Sequence, residues 1–116
     1  MERPIRLAFK LIFLAALIAI AWASLVPQDV RPQTGFWDGW EHLAAYFVLG
    51  ITGFIAFPSP SHRLKMLVLI IVYGIVLEVM QGFLPGRMPG VVDALANSIG
   101  VGLAFLAVWS FDRLRP

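Results

Sequence analysis

The stretch of sequence that decides the fold is Leu64–Leu84, which reads LKMLVLIIVYGIVLEVMQGFL and is apolar over almost its whole length. As an α-helix, a run of about 20 apolar residues spans the hydrocarbon core of a bilayer, which is about 30 Å thick. One carboxylate, that of Glu78, lies inside this run. Because an ionisable group at such depth is costly, Glu78 indicates a functional site.

Three further apolar runs accompany this one, and proline or glycine separates them. Helices are predicted over about residues 7–26, 40–57, 64–84 and 91–111, with the first turn of the second starting near Asp38 or Gly39. Only helices or closed barrels satisfy backbone groups in lipid, and these runs lack the alternation of barrel strands. The sequence therefore predicts an all-α membrane protein, a single domain over residues 1–116 that forms a four-transmembrane-helix bundle.

The composition excludes other classes of protein. Hydrophobic residues make up 59% of the chain and charged residues 14%, whereas soluble proteins carry about 25% charged residues. The chain has no cysteine, which excludes disulfides and thiolate metal sites. Its net charge of +2 comes from basic residues at the ends of apolar runs. Membrane topology accounts for them, so the expected partner is the lipid bilayer and not nucleic acid.

The distribution of lysine and arginine predicts the orientation in the plasma (inner) membrane, which the chain is expected to cross several times. With the N-terminus inside, the inner segments carry seven basic residues and the outer loops carry two. The inner residues are Arg3, Arg6, Lys10, Arg63, Lys65, Arg113 and Arg115, and the outer ones are Arg31 and Arg87. Because cytoplasmic segments are enriched in these residues, both termini are predicted to be cytoplasmic.

The first apolar run has an alternative interpretation. Basic residues precede it, and Ala21-Trp22-Ala23 resembles the cleavage site of a secretory signal. Cleavage would leave three helices. The run continues to Val26 and is long enough to span, which favours an uncleaved helix. The mass of the mature protein distinguishes the two cases.

Polar residues on the last three predicted helices are expected to meet in one layer below the outer surface. They form three pairs: His42 with Tyr46, Glu78 with Gln81, and Asp93 with Asn97. Residues three or four apart share a helical face. At about 1.5 Å per residue, Glu78 lies roughly 9 Å below the end of its helix, level with Tyr46 and Asn97. Small residues such as Gly74 and Gly100 let membrane helices approach closely, so the layer is expected inside the bundle.

This layer contains the candidate site. The candidate catalytic residues are Glu78, Asp93 and His42, and the candidate ligand-binding residues are Arg87, Tyr46, Gln81, Asn97 and Asp38. The titratable groups suit acid–base chemistry or a hard cation. The turn that carries Arg87 is expected to overhang the layer, where a guanidinium suits a carboxylate or phosphate. No standard metal, phosphate-loop or nucleophile motif occurs, so metal and cofactor are left undetermined.

Each of these residues also has a structural interpretation. Glu78 is alternatively a neutral, hydrogen-bonded acid that locks helices together, and Asp93 a helix N-cap. His42 and Tyr46 alternatively lie in the membrane interface with the nearby tryptophans. Asn97, like Gln81, alternatively forms hydrogen bonds between helices.

The arrangement resembles the VanZ-like family of small membrane proteins. The matching stretches are Ser24–Pro27 (SLVP), Asp38–Gly50 (DGWEHLAAYFVLG), Glu78–Gln81 (EVMQ), Phe83–Arg87 (FLPGR) and Asp93–Gly100 (DALANSIG). One departure is Gly39, where the family commonly has lysine after the aspartate. The resemblance implies a role in the cell envelope, because the founding member is associated with low-level resistance to the lipoglycopeptide teicoplanin.

Two hypotheses of different classes follow. In the first, an outward-facing polar pocket binds or modifies a lipid-linked or amphiphilic ligand of the envelope. In the second, the polar layer is structural, and the aromatic outer loop with Phe36, Trp37 and Trp40 contacts a partner or the lipid surface in a non-enzymatic interaction or assembly protein. A small transporter is a third interpretation, ranked last because the inner halves of the helices are apolar. Self-association is left open, since the small-residue stripes are equally suited to it.

Overall fold

Four helices make up the part of the chain that the structure describes. The computed structural model describes residues 3–27, 29–31, 34–85 and 90–115. The helices are α1 (Arg3–Leu25), α2 (Asp38–Ala56), α3 (Pro60–Gln81) and α4 (Val91–Leu114), and these residues contain no strand. The predicted all-helical fold is therefore confirmed. Three helices, α1, α3 and α4, are long and apolar enough to cross a membrane.

The helix ends differ from the ends of the apolar runs, most clearly in α3. This helix begins at Pro60, one turn before the expected start, because Ser59 caps it: the Ser59 hydroxyl accepts the His62 N–H at 3.2 Å. A capping serine followed by proline at the first helical position is a favoured helix start. The expected boundary followed hydropathy alone and missed this polar first turn. α3 also ends earlier than expected, at Gln81 with Gly82 as its cap.

The centre of the bundle is the packing of α2 against α4, which run in the same direction. A Cβ atom on Gly100 would lie 2.3 Å from the Leu43 carbonyl oxygen, and one on Gly50 would lie 2.7 Å from the Ala104 Cβ. Glycine is therefore required for this close approach, as the small-residue pattern predicted for Gly100.

α1 and α3 pack around this pair. The core includes Tyr46, Leu49, Phe54, Ile70 and Val101. α1 has no buried residue of its own and lies at the periphery. Large apolar side chains on all four helices are exposed, which fits a lipid-facing surface, because apolar side chains there are as well solvated by lipid tails as by protein.

The bundle has two distinct ends. We call the end with the described residues of 26–37 and 82–90 the loop end. We call the end with residues 3–6, 57–60 and 112–115 the terminal end. α2 and α4 run from the loop end to the terminal end, and α1 and α3 run the opposite way.

Candidate functional site

His42 lies at the centre of a polar cluster at the loop end. It is in the second turn of α2, and its Nδ1 lies 2.8 Å from the Asn97 Oδ1 of α4. Two carboxylates flank the ring: Glu78 Oε1 lies 4.0 Å from Nδ1, and Asp93 Oδ2 lies 3.8 Å from Nε2. We call His42, Glu78, Asp93 and Asn97 the His42 cluster. Three helices contribute to it, as the sequence predicted.

Glu78 is the most buried carboxylate of the cluster, with 7% of the residue exposed. It lies in the last turn of α3, and its Oε2 accepts the Gly90 backbone N–H at 3.3 Å. Gly90 is the N-cap of α4, so Glu78 satisfies a backbone donor at the start of that helix. The positive end of the helix dipole also favours a carboxylate at this position.

Asp93 lies in the first turn of α4 but does not cap it. The N-cap is Gly90, and α4 has no side-chain capping hydrogen bond. The alternative interpretation of Asp93 as the N-cap is therefore wrong, because α4 begins two residues before it. Its carboxylate points instead towards the His42 ring. Its position in the first turn still favours a negative charge.

Asn97 and Tyr46 extend the polar layer towards the middle of the bundle. Both are almost fully buried, with exposed fractions of 3% and 2%. Gly74 provides the space for them: a Cβ atom there would lie 3.2 Å from the Asn97 Nδ2 and 3.3 Å from the Tyr46 hydroxyl. Asn97 forms the hydrogen bond between helices that the structural interpretation predicted.

Two other predicted site residues point elsewhere. Gln81 is buried, but its Nε2 donates to the Ser24 carbonyl oxygen of α1 at 3.0 Å. Asp38 is half-exposed and lies 4.0 Å from Arg31. Gln81 thus connects helices, and Asp38 belongs to the surface of the loop end.

The remaining predicted residue, Arg87, lies outside the described residues. Another arginine is well placed in the loop before α2. Arg31 pairs with Glu41 at 2.7 Å, and the Thr34 hydroxyl donates to the other Glu41 oxygen at 2.7 Å. These contacts hold the loop against the start of α2, beside the His42 cluster.

The hydrogen bond with Asn97 determines what His42 can do chemically. If the Nδ1–H donates to the Asn97 oxygen, the neutral imidazole carries its lone pair on Nε2, which faces Asp93. A histidine oriented in this way can accept or donate a proton at Nε2. The same groups suit a cation, because one ligand atom from each of His42, Glu78 and Asp93 lies within 4.8 Å of the others. One imidazole and two carboxylates are ligands for zinc or manganese.

Two structural features of the molecule were not anticipated from the sequence. Gly90 donates its N–H to Glu78, and only the Pro-Gly turn before α4 signalled a backbone role there. Arg63 was interpreted only as a topology determinant, yet it pairs with Asp112 of α4 and donates its Nε–H to the Phe54 carbonyl oxygen at 3.1 Å. The sequence places Arg63 and Asp112 at the same predicted end of the bundle, and this could have indicated that they pair.

Comparison with known proteins identifies the family. A model of the family described as VanZ/LLP1 matches residues 3–112, nearly the whole chain. No curated protein and no solved structure matches significantly. The resemblance found in the sequence motifs is thereby confirmed.

Proposed function

Because the chain belongs to the VanZ/LLP1 family, we propose that it binds the polar head of an amphiphilic or lipid-linked ligand of the cell envelope at the His42 cluster. The main observation behind the proposal is that His42, Glu78 and Asp93 meet at one end of the bundle. One ligand atom from each of these residues lies within 4.8 Å of the others. The proposal places this end at the outer surface of the plasma membrane, as the distribution of lysine and arginine predicts.

The charge of the cluster supports a ligand with a polar or basic head. Two carboxylates face a single imidazole, so the described cluster is acidic when His42 is neutral. A ligand with an amine or a bound cation would neutralise it. Arg87, which the sequence predicts to overhang the polar layer, would take a carboxylate or phosphate of the ligand.

The lipid-facing surroundings support an amphiphilic ligand. Exposed apolar residues of α3, of the turn after it and of α4 lie near the cluster in sequence and face outwards, including Val79, Phe83, Val92 and Leu95. An acyl chain can lie along such a surface while its head group reaches the polar layer. His42 would then act as acid or base towards the head group, with Asn97 orienting the ring.

Teicoplanin susceptibility tests this proposal. We expect bacterial cells that express the wild-type chain to tolerate a higher teicoplanin concentration than cells with an empty vector. Glu78→Gln keeps the size of the side chain but removes its charge, and it should return tolerance to the vector level. Asp29→Asn is the matched control, because Asp29 is an exposed carboxylate at the same end. It should protect like the wild type.

The amount of each variant in the membrane is measured alongside by immunoblot. Full protection by Glu78→Gln at equal abundance contradicts the role of the cluster. Absence of protection by the wild type contradicts the link to teicoplanin.

A second candidate function is a non-enzymatic interaction protein, and the aromatic loop favours it. Phe36 is 73% exposed, and Trp37 and Trp40 are also exposed. Beside them is an open, mainly apolar cavity of about 700 Å³ lined by Thr34, Phe36, Trp40, Glu41, Leu43 and Ala44. Exposed apolar surface next to a cavity is typical of an interaction site.

The two candidates differ in which substitution abolishes protection. Under the interaction hypothesis, Phe36→Ala with Trp40→Ala abolishes it, whereas Glu78→Gln lowers only the stability of helix packing. Under the ligand hypothesis, Glu78→Gln abolishes it at unchanged abundance.

A further inference from the structure

We propose that the terminal end of the bundle contains a second site, which binds a phosphate-bearing anion between the helices. The site is a cavity of about 560 Å³ that all four helices line. Small-molecule sites in proteins have volumes of about 300–1,000 Å³. The cavity is at the opposite end from the His42 cluster, so the inference does not rest on the proposed function.

The charge of the lining selects an anion. Three guanidinium groups, those of Arg6, Arg63 and Arg115, face the cavity, and Asp112 is the one carboxylate among its lining residues. The lining therefore carries a net charge of +2. Guanidinium groups bind phosphate through paired N–H donors, which favours a phosphate oxyanion over halide.

One buried donor of the site has no hydrogen-bond partner among the described residues. Arg63 pairs with Asp112 and donates to the Phe54 carbonyl oxygen, and Arg115 lies 3.5 Å from Asp112. In contrast, the Nε of Arg6 is buried and has no hydrogen-bond partner among the described residues. A buried N–H without a partner is costly, so a turn of the Arg6 side chain that brings this N–H against an oxyanion in the cavity would be favourable.

The rest of the lining is apolar and fits the region next to a phosphate in a lipid. Ile51, Ile55, Val108 and Phe111 contribute to the wall. Basic pockets between transmembrane helices bind the head groups of anionic lipids in this way. The same phosphate chemistry could come from free phosphate, and the experiment separates the two sources.

The test measures binding to the purified full-length protein in a neutral detergent, by native mass spectrometry for lipids and by calorimetry for inorganic phosphate. The probes are phosphatidylglycerol, zwitterionic phosphatidylcholine and inorganic phosphate. We expect phosphatidylglycerol to bind the wild type more tightly than phosphatidylcholine does. Arg6→Gln should weaken phosphatidylglycerol binding roughly tenfold, as expected for loss of a charge-assisted hydrogen bond.

Arg3→Gln is the matched control. It removes the same charge from an exposed residue of α1, one turn away, that does not line the cavity. It therefore reports the general attraction of anions to this end. Equal weakening by Arg6→Gln and Arg3→Gln overturns the proposal, as does equal binding of the two phospholipids by a wild type that does not bind inorganic phosphate.

The source of the phosphate follows from the third probe. Binding of inorganic phosphate that is lost in Arg6→Gln supports the site and identifies a free anion as sufficient. Binding of phosphatidylglycerol alone supports the site and identifies a lipid. Failure of every probe to bind the wild type overturns it. If Arg6→Gln does not fold, Arg115→Gln takes its place, because Arg115 is exposed and its only contact with the lining carboxylate is the 3.5 Å pair.

Discussion

At the scale of single residues, two glycines of α4 distinguish the effect of helix packing on stability from the effect of helix propensity. Gly100→Ala would place a methyl group 2.3 Å from the backbone oxygen of Leu43, so α2 and α4 must move apart, whereas Gly102 has nothing within 4 Å of its Cβ position. Overpacking costs about 1–3 kcal/mol, and alanine is a better helix former than glycine by about 1 kcal/mol. We therefore expect Gly100→Ala to lower the midpoint of thermal unfolding in detergent, and Gly102→Ala to leave it unchanged or raise it. Equal effects of the two substitutions would contradict the close approach of the helices.

Gly39 lies against the aromatic loop before α2, where there is no space for a side chain. A Cβ atom there would lie 2.2–2.5 Å from the indole ring of Trp37, which packs over the start of α2 and meets Trp40 edge to face. Any larger side chain at this position would have to displace that ring. The aromatic arrangement of the loop is therefore coupled to glycine at this position.

At the scale of elements, α1 packs mainly against α2, and two side-chain hydrogen bonds connect it to α3. Tyr73 donates its hydroxyl to the Leu17 carbonyl oxygen and Gln81 donates to that of Ser24. Hydrogen bonds between membrane helices contribute about 0.6 kcal/mol each on average. The double variant Tyr73→Phe/Gln81→Leu should therefore speed hydrogen exchange of α1 amides several-fold in detergent, with little change in α2 and α4.

Ser98→Ala is the control for that experiment. Its hydroxyl bonds to the Ala94 carbonyl oxygen of its own helix, so its loss removes no contact between helices. Unchanged α1 exchange in the double variant would show that apolar packing, such as Phe13 against Gly53, is sufficient to hold α1.

At the scale of the whole molecule, the proposed function at the His42 cluster requires α2 to be a fourth membrane span and both termini to face the cytoplasm. The chain has no cysteine, so single cysteines report topology directly. With a membrane-impermeant thiol reagent on intact cells, we expect labelling of Val30→Cys and Phe83→Cys at the loop end. Ser61→Cys, at the terminal end, should be labelled only after the membrane is opened. All three residues are exposed. Labelling of Ser61→Cys together with Val30→Cys would contradict a spanning α2.

Much of the site could be predicted from the sequence because membrane helices impose a strict geometry. Glu78 lies in one apolar run, and the other polar residues of the group lie in two other predicted helices. The rise of an α-helix then places all of them at a similar depth. This accounts for the correct grouping of His42, Glu78, Asp93 and Asn97. Gln81 was grouped with them on depth and on its spacing of three residues from Glu78. Its direction, towards α1, depends on which helices are neighbours, and hydropathy does not contain that information.

The sequence by itself determined the helical class, the family and the level at which the polar residues meet, because bilayer thickness and helical rise leave few alternatives. Only the tertiary structure decided that α2 packs in parallel on α4, that Glu78 takes the Gly90 N–H, and that Arg6 faces a cavity with Arg63 and Arg115. These features depend on the rotation of each helix about its axis. Contacts between side chains and backbone of different helices set that rotation, and such contacts exist only when the bundle is assembled.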